Sequence, residues 1–126
     1  MDEAGFKSAI RKKLDRSIFT WGINARFAVG APDCWYSGPA GDLWVEYKYL
    51  KRTPTRRFTP KLSAPQKHWL LSRRDEGRNV AVITGCPDGV FIQTGPDIGG
   101  AVMPDSLQNR RHAIYFIETH CADNNQ

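Results

Sequence analysis

No run of apolar residues in this sequence approaches the roughly 20 that a membrane-spanning helix needs. The opening residues, Met1-Asp2-Glu3-Ala4-Gly5-Phe6, are acidic and lack an apolar stretch, so no secretory signal is expected. Cysteines are few and scattered. Cys34, Cys86 and Cys121 form no CxxC pair, which excludes a disulfide framework and a thiolate metal site and leaves ordinary cytosolic thiols. There is no internal repeat, no low-complexity stretch, no P-loop and no Ser-His-Asp order, and His68, His112 and His120 lack ligand spacing. No linker is long enough to divide the chain, so residues 1–126 read as one domain in a cytoplasmic setting. What is present is ordinary for a globular fold: 40% apolar and 25% charged residues, enough to bury a core without staples.

Acids and bases are unevenly placed. Residues 31–46 hold no base, only Asp33, Asp42 and Glu46, whereas residues 47–78 hold ten bases against Asp75 and Glu76. Between Lys51 and Lys67 there is no acid at all. An acidic segment directly before a basic one suggests a metal-binding centre beside a phosphate-binding surface, although a basic run alone is often a solvated face.

Residues 3–14 predict an amphipathic helix, with Phe6, Ala9, Ile10 and Leu14 on one stripe. Ile18–Ile23 is β-branched and aromatic and predicts a strand, which Gly30-Ala31-Pro32 breaks. Asp33–Tyr36 and Asp42–Leu50 predict a hairpin about the turn residues Ser37–Gly41. Along its second strand Leu43, Val45, Tyr47 and Tyr49 face one way, and Trp44, Glu46, Lys48 and Leu50 the other. Lys51–Leu62 is a basic loop, and Ser63 caps a helix that Gly77 stops. Residues 79–84 and 90–93 are strands about a turn, and 94–103 a glycine-rich loop. Pro104–His120 predicts a helix, with a strand over Ala113–Ile117 as the alternative. The order α-β-β-β-α-β-β-α describes a mixed α/β sandwich around one sheet.

Glu46 and Lys48 leave the same face of their strand. The hairpin can fold Asp33 back beside Glu46, and paired carboxylates suit a hard divalent cation such as Mg²⁺. A lysine there can hold a water or stabilise negative charge on a phosphorane-like transition state. Pro32-Asp33 followed by Glu46-Tyr47-Lys48 is therefore a candidate phosphodiesterase centre. Taken alone, such a triplet is an ordinary surface Glu and Lys.

Gly30-Ala31-Pro32-Asp33, Glu46-Tyr47-Lys48, Leu62-Ser63-Ala64-Pro65-Gln66 and Gly77-Arg78-Asn79-Val80-Ala81-Val82, in that order, resemble the VRR-NUC group of PD-(D/E)xK nucleases. The resemblance spans about residues 3–84 and leaves a C-terminal extension, 94–126, outside it. It implies a restriction-endonuclease-like fold, a mixed central sheet flanked by helices in α-β-β-β-α-β order. It also implies Mg²⁺- or Mn²⁺-dependent hydrolysis of DNA phosphodiester bonds by a stand-alone phage or bacterial type of enzyme. Branched duplex such as a Holliday junction is the implied substrate, and a homodimer the implied assembly.

Carried onto this chain, Asp33 and Glu46 become metal ligands, the Tyr47 carbonyl a third, and Lys48 the catalytic lysine. Glu3 matches an acidic residue of the family's first helix and becomes a further ligand; helix capping is its other reading. Gln66 matches a site glutamine, while Ser63-x-x-Gln66 is also a capping box. Arg52, Arg56, Arg57 and Lys61 are the expected phosphate contacts. Trp35 and Trp44 are expected to pack within the hairpin, and Cys34 within the core. The apolar segment Ala113–Ile117 is the candidate self-association patch. The competing class is a non-catalytic nucleic-acid-binding module that keeps the basic surface and uses the carboxylates structurally. A restriction-type enzyme ranks lower, since no recognition domain remains in 126 residues.

Overall fold

Residues 1–23 and 29–122 are described by the computed structural model. Positions 123–126 of the C-terminal extension lie outside the described residues. In chain order the elements are α1 (Glu3–Arg11), β1 (Phe19–Gly22), β2 (Cys34–Gly38), β3 (Gly41–Tyr49), α2 (Ala64–Asp75), β4 (Val80–Cys86), β5 (Gly89–Thr94) and α3 (Arg110–Cys121), with 3-10 turns at Gly95–Asp97 and Pro104–Ser106. The strands form one five-stranded sheet in sequence order. Every neighbouring pair is antiparallel except β3 and β4, which run parallel across the crossover made by the basic loop and α2. The expected fold class and element order are both found.

Alternation along β3 builds the layers. Leu43, Val45 and Tyr47 are fully buried on one face with Cys34 and Tyr36 of β2, beneath Phe6 and Ile10 of α1 and Ala113, Ile117 and Cys121 of α3. Trp44 leaves the other face and packs with Trp69 and Leu70 of α2 and Val80 and Val82 of β4. Trp35 and Trp44 stack in the hairpin at 5.6 Å, as their positions suggested.

Two expectations are corrected and one alternative is settled. The first helix stops at Arg11 rather than residue 14. There the Asp15 carboxylate accepts the Ser17 N–H at 2.9 Å, a local turn that competes with helix. Residues 104–109 are not the start of the last helix. Pro104–Ser106 makes a single 3-10 turn, and Gln108 is then held extended by a two-way backbone bridge to Val90 (2.8 and 2.9 Å). Asn109 accepts the His112 N–H and so caps α3 at Arg110. Finally, Ala113–Ile117 is helix and not strand: Ala113 and Ile117 face inward one turn apart and close the protomer's own sheet, while Tyr115 is exposed.

Candidate active site

The site forms where β2 runs out beside β3. The Trp44 N–H donates to the Asn79 carbonyl and the Leu50 N–H to that of Gly85, so even positions of β3 turn their backbone toward β4. Tyr47 therefore turns its N–H and C=O toward β2. The last register pair on that side is Cys34 with Val45, so no strand residue faces Tyr47. Asp33 fills the gap, and its Oδ2 accepts the Tyr47 N–H at 2.9 Å. Proline at position 32 has no N–H and cannot extend the ladder. The Gly30 turn, at φ +83°, lies so close to α2 that a Cβ would meet the Pro65 carbonyl oxygen at 2.6 Å. Only glycine fits there, and this contact seats the Asp33 loop on the first turn of α2. The Tyr47 carbonyl thus faces the same gap as the Asp33 carboxylate.

Glu46 points to the α2 face and is 2% exposed. Its Oε2 accepts from Gln66 Nε2 at 3.0 Å and lies 3.3 Å from Lys48 Nζ. Its Oε1 is buried and has no hydrogen-bond partner among the described residues. Desolvation, and next the negative charge of Asp33, push the Glu46 carboxyl up to about 7; Lys48 opposes this and Glu3 adds to it. A buried acid whose proton affinity a neighbouring carboxylate raises, with one buried oxygen left over, suits a bound cation. The donor set therefore fits a hard divalent ion.

Glu3 is not drawn into a third carboxylate position. No three His, Cys, Asp or Glu side chains converge closely enough to hold a metal among the described residues. Glu3 instead lines a groove of about 610 Å³ with Lys48, Arg52, Phe58, Lys61 and Thr84, between the end of β3 and the basic loop. That loop is pinned at two points. Thr53 Oγ1 donates to Asp88 Oδ2 at 2.7 Å, and Phe58 bridges Val102 while its ring packs on Phe91 at 5.1 Å. Arg52 and Lys61 face the groove, whereas Arg56 and Arg57 are exposed and do not line it.

Sequence reasoning missed Lys7. Its Nζ lies 3.7 Å from Asp33 Oδ1 and sets a positive charge beside that acid. The available signal was its i+4 spacing from Glu3 on one helix face. Thr84, the register partner of Lys48 on β4, was also missed; it is a buried polar residue at the groove floor.

The architecture is a mixed α/β fold, one five-stranded sheet flanked by helices. Hjc from Archaeoglobus fulgidus, described as a Holliday junction resolvase from an archaeal hyperthermophile, superimposes with a TM-score of 0.61 at 11% identity, over 90% of this chain and 98% of Hjc. No family model matches the sequence, and no curated protein does. No helix among the described residues is long and apolar enough to cross a membrane.

Proposed function

We propose that this protein is a Mg²⁺- or Mn²⁺-dependent endodeoxyribonuclease of the VRR-NUC type that cuts branched duplex DNA. The single observation behind this reading is the pairing of Asp33, seated in the gap beyond β2, with the buried Glu46, whose Oε1 has no partner. Asp33, Glu46 and the Tyr47 carbonyl would hold the ion. When bound, the ion supplies Lewis-acid stabilisation of the phosphoryl oxygens and a more acidic water. Lys48, kept on the same face as Glu46, puts a positive charge where negative charge develops as the phosphodiester opens. Arg52 and Lys61 bind backbone phosphates along the groove and align the strand, and Arg56 and Arg57 extend that contact. The fold shared with a Holliday junction resolvase supports four-way DNA as substrate. A centre of this kind cuts one strand at a time, so symmetric resolution calls for two copies about a two-fold axis. The resemblance suits a phage or bacterial cytoplasm.

The test is cleavage of linear, flap and four-way DNA with Mg²⁺ and with chelator, beside Asp33→Ala. The four-way substrate should be nicked only with the metal. Asp33→Ala should abolish cutting while DNA binding persists. An Asp33→Ala protein that cuts at the wild-type rate would remove this site. Wild-type protein that binds DNA but never cuts it would favour the binding-module reading. Sedimentation with junction DNA reads the assembly, and a single 14.2 kDa species throughout would refute the dimer.

A further inference from the structure

We infer that the capping box of α2 sets the orientation of the Gln66 side-chain amide, making Ser63 a positioning residue for Glu46; this rests on the nuclease reading above. A cap normally satisfies only the helix end. Here one side chain serves both. The Ser63 N–H donates to Gln66 Oε1 at 3.0 Å, and the Gln66 N–H donates to Ser63 Oγ at 3.2 Å. The same Oε1 accepts from Lys48 Nζ at 3.4 Å, while Nε2 donates to Glu46 Oε2 at 3.0 Å.

The amide has one workable orientation. A backbone N–H and an ammonium only donate, and an ionised carboxylate only accepts. Turning the amide over would set Nε2 against the two donors and Oε1 against the carboxylate. Of the two donors holding Oε1, Ser63 is the shorter contact and belongs to rigid backbone, whereas Lys48 sits on a flexible stem. The Ser63 N–H therefore dictates that Glu46 receives a donor on Oε2 and keeps Oε1 free. The order Ser63-Ala64-Pro65-Gln66 thus does more than start a helix. It decides which oxygen of a buried acid carries the amide donor and which is left without one.

Backbone geometry allows a direct test. Ser63 sits at φ −68°, the angle a proline ring imposes, so Ser63→Pro deletes the N–H without requiring a new backbone shape. Ser63→Ala deletes Oγ and keeps the N–H. In metal-free ¹⁵N-labelled full-length protein, the Gln66 side-chain NH₂ resonances should stay near wild type in Ser63→Ala and move toward free-amide positions in Ser63→Pro. With Mg²⁺ and four-way DNA, kcat of Ser63→Pro should fall at least about 10-fold below that of Ser63→Ala at similar KM, the loss typical for partners of metal ligands. Ser63→Thr, which keeps both groups, should restore wild-type behaviour. Equal Gln66 resonances and equal kcat in Ser63→Pro and Ser63→Ala would overturn the inference. If Ser63→Pro does not fold, Gln66→Glu decides. Its carboxylate still accepts the Ser63 N–H but has no donor for Glu46, so the Ser63 amide should stay protected while kcat drops at least about 10-fold. Wild-type kcat in Gln66→Glu would overturn it. Should wild-type protein cut no DNA, the nuclease reading fails, and the Gln66 resonances still decide the positioning claim.

Discussion

The two faces of β3 come from one nine-residue strand and treat polar groups in opposite ways. On the α1–α3 face the fully buried polar tip on β3 is the Tyr47 hydroxyl, which meets the Tyr36 hydroxyl at 2.6 Å; burial pushes both phenols far above their ordinary range. The pair satisfies itself and that face is closed. On the α2 face Glu46 is just as buried, yet one of its oxygens has no partner among the described residues, and Gln66 of α2 and the charge of Lys48 hold the other. The first face is settled by the chain alone. The second leaves a buried carboxylate oxygen that the proposed cation would complete, and this difference separates a core from a candidate site.

Damage to the closed face should therefore appear as lost stability, with the chemistry of the remaining folded molecules intact. Leu43 is 1% exposed in the core beneath α1 and α3. Leu43→Ala should cost about 2–5 kcal/mol in urea unfolding. Cleavage per folded molecule at low temperature should match wild type. A Leu43→Ala protein of undiminished stability that has lost cleavage would break the division between the faces.

On the α2 face the sign reverses. Folding raises the Glu46 carboxyl from an ordinary 4.5 to about 7, so between those values the folded chain binds more protons than the unfolded one. The stability this group contributes is full below pH 4.5, declines as pH rises to about 7, and stays low above it. The decline amounts to about 3 kcal/mol at most. Metal-free Glu46→Gln should therefore be more stable than wild type at pH 8, by up to that amount, and lose its advantage below about pH 4.5. Added Mg²⁺ should narrow the gap at pH 8 by stabilising wild type alone. A gap that does not change with pH would show that Glu46 is not held at the expense of folding.

What was legible in the sequence was whatever is local. The period-2 alternation of β3 set Glu46 and Lys48 against Leu43 and Val45, and Ser63-x-x-Gln66 announced its own cap. What was not legible depends on distant partners. The Asp15 N–H, at the turn that ends α1, donates to Glu118, 103 positions away. The last helix starts late because Val90 takes Gln108 as a bridge partner. Lys7 reaches Asp33 only after α1 docks on the sheet. Within the apolar segment Ala113–Ile117, the sequence does not say that Ala113 and Ile117 turn inward while Tyr115 stays exposed.

The smallest expected effect concerns the basic loop, where under the proposed function the open face would meet DNA. Thr53 and Phe58 anchor the loop to the β4–β5 turn and to Val102, so its bases are presented on a fixed frame. Arg52 and Lys61 line the groove beside Lys48, and Arg56 and Arg57 do not. Binding measured in chelator, with cleavage blocked, should show the slope of log K against log salt shallower by roughly 0.9 for each duplex phosphate that is no longer neutralised. Arg52→Ala with Lys61→Ala and Arg56→Ala with Arg57→Ala should then flatten the slope by similar amounts, because the slope reads the charge set against phosphate wherever it lies. Turnover at saturating DNA should separate the pairs. The groove pair aligns the strand at Lys48 and should lower kcat, while the outer pair should leave kcat unchanged. A quadruple alanine variant with wild-type affinity and salt slope would show that this loop does not meet the DNA backbone. Equal kcat losses from the two pairs would show that the groove is not the path the cut strand takes.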